Sequence, residues 1–416
     1  MKNNSKLQRG PARDDRIPVL ALDEEIPFPC NTGKRIRTYN ILKQLARYFA
    51  IDLLVHKNNA DAEAMAAMRE IGVEPVVASS SIPAKSGPRF WWTLVGHLFG
   101  PYPYSVASHY QAGYRQRLEE LLRTRNYDLV HCEWTPYGRY LRQCPLPWMI
   151  ATHNVEFQIL ERFTDNMTGI HKLFYSLQAR RMRRFEVAMF RLAHGLTAVS
   201  EGDAAFIERL SGRRPTVVAN GVDLEYFSPA SGQADSHQMV FTGSMDWRPN
   251  QDGLRWFLER IVPLLPADSP WSCKLVGRNP PEWLSRMCGP EGFIDMIGTV
   301  PDVRPYVHRA GIYIVPLRIG GGSRLKILEA LAMGKAIVST TIGAEGLGLE
   351  DGRHLLLADS PEDFAAAIVR LAGDADLQAS LGSAGRSFVE RHYSWDRIAL
   401  HQKALWERLA TSGREG

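Results

Sequence analysis

The chain has 416 residues, 45% of them hydrophobic and 23% charged, with a formal net charge of +5. That is the balance of an ordinary globular protein, long enough for two domains with a core each, and it excludes a disordered chain. The longest uncharged apolar run, Phe90 to Gly100, is too short to cross a bilayer. The mild positive charge permits anionic substrates or an anionic membrane surface and points to no nucleic-acid partner. Cys30, Cys132, Cys144, Cys273 and Cys288 have no close pairing, so neither a disulfide framework nor a zinc site is expected. The expected location is the cytoplasm.

In chain order, residues 1–15 are polar, lack the apolar core of a signal peptide and read as a flexible tail. Short β-rich apolar runs then alternate with amphipathic stretches. Ile17–Leu22, Ile51–Val55, Tyr127–His131, Trp148–Thr152 and Gly195–Val199 form a first set of strands. The first strand runs into Pro27–Arg35, and a helix is expected from near Arg37. In that turn Gly33 would let the chain approach a ligand closely. His153, Asn154 and Glu156 follow the fourth strand, at the edge where such sheets bind ligands. The other reading of a His there is a satisfied polar residue. A polar, breaker-rich linker spans Leu210–Pro215. The second set is Met239–Thr242, Lys274–Val276, Ile312–Val315 and Ala336–Ser339, and a helix covers about Asp396 to Leu409. This pattern predicts an α/β chain of two doubly wound, Rossmann-like domains facing a cleft.

The most informative segment is Pro316 to Gly334. A buried strand ends in Gly320, Gly321, Gly322 and Ser323, and a helix follows. Free amides and the positive end of a helix dipole suit a phosphate there. Arg324 and Lys326 occupy a first turn that normally favours acids, which costs free energy unless an anion is present. Glu329 lies in an otherwise apolar run and needs a partner. The reading is a diphosphate on the turn and a hydroxyl-bearing group on Glu329. The alternative is a tight turn with a surface Lys326–Glu329 pair.

Gly298–Asp302, the glycine turn, Leu328–Gly334, Ala336–Thr340 and Gly343–Gly346 together resemble the donor-binding half of the retaining glycosyltransferases of family 4, which have the GT-B fold. Asn220–Asp223, Phe241–Ser244, Leu275–Gly277 and Tyr393–Trp395 extend the resemblance over the second half. It implies a donor-binding set of Gly33, Gly243, Ser244, Gly277, Val300, Gly321, Gly322, Ser323, Leu325 and Glu329, with Glu329 on the ribose hydroxyls. His153 would contact the transferred sugar, and Asn31, Thr32, Asn154 and Glu156 the acceptor. The domains would be 16–212, binding acceptor, and 213–394, binding the nucleotide diphospho-sugar, with a helix over 395–416 crossing back to the first.

Two positions depart from the family. Arg248 fills the arginine's place after the strand at Met239–Gly243, but the lysine's place falls on Asp252, which would repel a diphosphate. Arg324 and Lys326 would supply the missing charge, giving His153, Arg248, Arg324 and Lys326 as the catalytic set. The first of the family's paired glutamates falls on Gly321, so the sugar cannot be read. No cofactor and no metal are expected, since preorganised cations and amides can stabilise the leaving diphosphate. The partners are the sugar donor and a glycan or lipid-linked acceptor in surface polysaccharide synthesis. The aromatic cluster from Phe90 to Tyr104 and the basic segment Arg180–Arg184 suit peripheral contact with an anionic membrane, at its inner face. Their other reading is a packed helix and a solvated face. The alternatives in function are a nicotinamide-dependent oxidoreductase, a non-catalytic sugar-nucleotide-binding protein and another GT-B enzyme such as a sugar-nucleotide epimerase.

Overall fold

The computed structural model describes residues 16–58, 60–82, 100–164, 168–230, 232, 234–287, 293–319 and 324–412. The expected tail at 1–15 and most of the aromatic cluster, Phe90 to Phe99, lie outside them. The chain divides into two units, one running to Val218 and resuming at Ala399, the other spanning Ala219–Ile398.

The first unit holds a seven-stranded sheet in the order β3-β2-β1-β4-β5-β6-β7. Its strands are β1 (Ile17–Leu22), β2 (Phe49–Val55), β3 (Val73–Val77), β4 (Leu129–Cys132), β5 (Trp148–Ala151), β6 (Gly195–Ala198) and β7 (Thr216–Val217). Every pairing is parallel. Helices cover both faces, so the central strands are buried throughout: β4, β5 and β6 have no exposed residue. The helix after β1 spans Gly33–Leu45 and starts four residues before the expected point. Thr32 explains this: its side chain accepts from the Arg35 amide at 3.3 Å and caps the first turn. The last helix, Trp395–Ser412, belongs to this unit from Ala399 onward, where Trp406 packs edge-on against Phe49 at 5.0 Å.

The second unit holds a six-stranded sheet in the order β10-β9-β8-β11-β12-β13. These are β8 (Asp235–Thr242), β9 (Ser272–Val276), β10 (Ile294–Gly298), β11 (Ala310–Val315), β12 (Ala336–Ser339) and β13 (Leu356–Leu357), again all parallel. Two motifs far apart in sequence meet here: the Val222 amide donates to the Tyr393 carbonyl at 2.8 Å, and a Cβ on Gly221 would lie 2.7 Å from the Trp395 ring.

In each sheet the direction of winding reverses once, between β1 and β4 and between β8 and β11. At such a switch point the flanking loops diverge and leave a crevice at the carboxyl ends of the strands.

Candidate functional site

In the second unit the switch point lies between the ends of β8 and β11. Lys326, in the first turn of the helix Leu325–Ala332, reaches across it and donates to Asn250 Oδ1 at 2.9 Å. Its ammonium also stands 4.1 Å from the centre of the Phe241 ring. Asn250 is buried, sits on the helix Arg248–Trp256 that follows β8, and donates through Nδ2 to the Ser244 carbonyl at 2.7 Å. An ammonium has three donors, and Asn250 takes one. Gly243 makes room for this arrangement: its φ is +147°, and a Cβ there would lie 2.9 Å from Lys326 Nζ and 3.0 Å from Asn250 Nδ2. Gly277 is tighter still, since its Cβ would fall 1.8 Å from the Gly243 carbonyl oxygen.

Glu329 lies one turn beyond Lys326 and is half-buried. Its carboxylate has no hydrogen bond from any described residue, so the surface pair considered from the sequence is replaced by a Lys326–Asn250 bond and an open acceptor. Burial lifts Glu329 to about 7, against the pull of Lys326, and lowers Lys326 to about 7, against the pull of Glu329. Two coupled groups pushed toward neutrality by burial at a switch point are the pattern of a candidate functional site.

Asp252 does not stand as a bare negative charge. Arg318, just past β11, forks onto it with Nη2 at 2.7 Å and Nε at 3.1 Å. Arg324 precedes the helix in a left-handed conformation with φ +51°, lies 3.5 Å from Glu345 and has its pKa lowered by burial. Arg248 is exposed at the first position of its helix. Ser244 accepts from Arg278 Nε at 2.9 Å and donates to Asp246. Leu325 opens the Lys326 helix, and Val300 is half-buried beyond β10. Gly320, Gly321, Gly322 and Ser323 lie outside the described residues.

In the first unit the corresponding edge carries a buried ionic cluster. Lys34 contacts Asp23 at 2.6 Å and Glu24 at 2.8 Å, and Glu24 lies 3.4 Å from His109. Burial disfavours the Lys34 charge, but Asp23 and Glu24 outweigh it and hold its pKa above the usual value. Burial lifts Asp23 to about 7. Arg35 is likewise engaged, pairing with Glu25 at 2.8 Å through Nε and with Asn31 at 3.2 Å. Gly33 opens this helix behind Thr32.

His153 follows β5, and its Nε2 lies 3.1 Å from Glu133 Oε2. Glu133, at the end of β4 and 3% exposed, also meets His131 Nε2 at 3.0 Å. Burial works against the Glu133 charge, yet His131 and His153 hold its pKa well below the carboxylate range. Burial lowers His153 despite Glu133. Asn154 is exposed. Glu156 accepts from Trp134 Nε1 at 3.0 Å and opens a helix whose first amides, of Glu156 and Phe157, donate to buried Glu186 at 3.2 and 2.9 Å.

The sequence reading missed Asn250, Arg318, Glu133 and Glu186. Each acts through a partner tens of residues away, which leaves no local signal. For Glu133 and Glu186 one clue existed, a lone carboxylate in an apolar neighbourhood. Among the described residues no cluster of His, Cys, Asp and Glu forms a metal centre.

The sequence model described as "Glycosyl transferases group 1" matches residues 236–374, and that described as "Glycosyltransferase Family 4" matches residues 62–226. The chain belongs to the GT-B glycosyltransferases. Family 4 membership is consistent with both matches. Among curated proteins it is 25% identical to the lipopolysaccharide core biosynthesis mannosyltransferase LpcC of Rhizobium leguminosarum bv. viciae, over 68% of this chain and 82% of that protein. It is 28% identical to the phosphatidyl-myo-inositol mannosyltransferase of Mycobacterium leprae, over 53% of this chain and 60% of that one. Among solved structures, Anabaena Alr3699/HepE in complex with UDP superposes with a TM-score of 0.67 at 14% identity, covering 94% of this glycosyltransferase and all of the other chain. That likeness concerns the fold. The oxidoreductase alternative has no support in these matches.

Proposed function

We propose that this glycosyltransferase moves a sugar, mannose being the first candidate, from a nucleotide diphospho-sugar to a glycan or lipid-linked acceptor of the cell surface, retaining the anomeric configuration. The observation that carries this reading is the Lys326–Asn250 bond across the switch point, with Glu329 open one turn further on. Lys326 keeps donors for the diphosphate, and Glu329 can accept from ribose hydroxyls. Leaving-group charge then falls on preorganised cations, Lys326 with Arg324 and Arg248, and the step needs no divalent metal. Asp252 does not oppose it, because Arg318 neutralises that carboxylate. No carboxylate in the segments matched to the family stands out as a nucleophile, so front-side attack is the mechanism expected. The choice of mannose and of a surface glycan follows the names of the two mannosyltransferases above.

The membrane reading concerns the helix Gly169–Leu192, where Arg180, Arg183 and Arg184 are exposed and Leu173 is 67% exposed. No helix among the described residues is long and apolar enough to cross a membrane. A peripheral contact at the cytoplasmic face is therefore the form of attachment proposed. The deciding experiment is transfer from GDP-mannose and UDP-glucose in saturating EDTA, with the product anomer read by NMR. Transfer with retention supports the reading. Inversion, or a strict need for Mg²⁺ or Mn²⁺, overturns the corresponding part.

A further inference from the structure

We infer that Glu133 is a positioning residue that fixes His153 with its proton on Nε2, so that Nδ1 meets a sugar hydroxyl as a hydrogen-bond acceptor. The inference rests on the glycosyltransferase reading for its ligand, but its geometry stands apart from that reading. An ionised carboxylate can only accept hydrogen bonds. Glu133 Oε1 lies 3.0 Å from His131 Nε2 and its Oε2 lies 3.1 Å from His153 Nε2. Both ring nitrogens must therefore carry the hydrogen. The partner atom on His131 agrees: its Nδ1 is buried without a hydrogen-bond partner, which a bare lone pair tolerates better than an N–H would.

His153 Nδ1 has no hydrogen bond from a described residue, and the side chain keeps 10% of its surface. The ring is thus held at one end and open at the other. The surroundings favour the ionised form of Glu133. Thr38 Oγ1 donates to Oε2 at 3.5 Å, and Arg37 and Lys34 stand on the adjoining helix, while Asp23 is an acidic group that interacts with Glu133 in the opposite sense. Arg37 itself is anchored, its Nη2 donating to the Val218 carbonyl at 2.6 Å. The neutral imidazole then offers one defined lone pair to the ligand. A His with a free choice of tautomer would present an acceptor only part of the time.

The test is long-range ¹H–¹⁵N correlation of the histidine side chains in the ligand-free full chain, with His153 assigned by its loss in His153→Gln. The neutral His153 ring should show the Nε2–H pattern alone. Glu133→Gln should release it into a mixture of tautomers and lower kcat/KM by about 10- to 100-fold, the size of loss seen when the orienting partner of a metal-bound His is removed. His131→Gln should leave the His153 pattern intact. GDP-mannose or UDP-glucose should shift the Nδ1 signal in the direction of an accepted hydrogen bond. An Nδ1–H pattern in the wild type, or an unchanged pattern in Glu133→Gln, overturns the inference. If Glu133→Gln does not fold, the wild-type tautomer still decides. A fixed Nε2–H tautomer in a protein that turns over no nucleotide sugar would overturn the proposed function and leave the positioning role standing.

Discussion

Replacing Lys326 with Met should separate the diphosphate site from a mere strand–helix turn. Met retains an aliphatic stem beside Phe241 and removes the ammonium that meets Asn250 at 2.9 Å. A hydrogen bond to a charged group is worth about 1.5–3 kcal/mol. At about 1.4 kcal/mol per factor of ten, the variant should bind a nucleoside diphosphate about 10- to 150-fold more weakly. The pH dependence gives a sharper signature. Binding needs Lys326 protonated and Glu329 ionised, yet in the free protein burial brings both to about 7. Above that pH Lys326 must gain a proton to bind, and below it Glu329 must lose one. Affinity should therefore peak near neutrality and fall on both sides. Lys326→Met should lose the alkaline limb and Glu329→Gln the acid limb. Calorimetric titration with UDP and GDP, in buffers of differing ionisation enthalpy, measures affinity and proton uptake together. Comparing wild type with each variant cancels the nucleotide's own ionisation. Affinity within twofold of wild type in Lys326→Met, with its alkaline limb intact, would mean that Lys326 does not bind the diphosphate.

Gly277→Ala places a Cβ 1.8 Å from the Gly243 oxygen, a backbone clash that no rotamer relieves; urea denaturation should show a loss of about 1–3 kcal/mol or more. Glu186 is buried and lifted to about 8 from 4.5, so its contribution to stability is present in acid and lost as pH rises through about 8. Thermal unfolding of Glu186→Gln should be flatter than wild type between about pH 4.5 and 8, where only the folded wild type holds the proton, and an identical pH profile would contradict the burial argument. Changing Arg180, Arg181, Arg183 and Arg184 to Ser should abolish low-salt sedimentation with anionic liposomes, since each basic residue near such a surface is worth roughly 1 kcal/mol. Wild type that never sediments would remove the membrane proposal.

The legibility of the fold followed burial. The nine strands expected from sequence are all central, and the four missed, β3, β7, β10 and β13, are the sheet edges. A central strand in a parallel sheet is covered on both faces and reads as an unbroken apolar run. The edges escape that demand. β3 carries Pro75, which only an edge strand tolerates; β10 carries exposed Asp295, and β7 and β13 have two residues each. At the site, Lys326 and Glu329 were legible because charge in an apolar first turn conflicts with local preference. Asp252 was read as repulsive because its neutralising partner, Arg318, lies 66 positions away. His153 was singled out by its place at a strand end, whereas Glu133 showed in the sequence only as a lone carboxylate among apolar residues, and its pairing with His153 emerged when the fold brought the two together.

In the proposed function the second unit binds a nucleotide diphospho-sugar through Lys326 and Glu329 and gives up its sugar. The most direct measurement is transfer of radiolabel from GDP-[¹⁴C]mannose and UDP-[¹⁴C]glucose to a lipid-linked glycan fraction, by wild type and by Lys326→Met. Wild type should give labelled glycan and released nucleoside diphosphate, and the variant should lose both by tenfold or more. No transfer or hydrolysis with either donor, together with no thermal stabilisation by UDP or GDP, would contradict it.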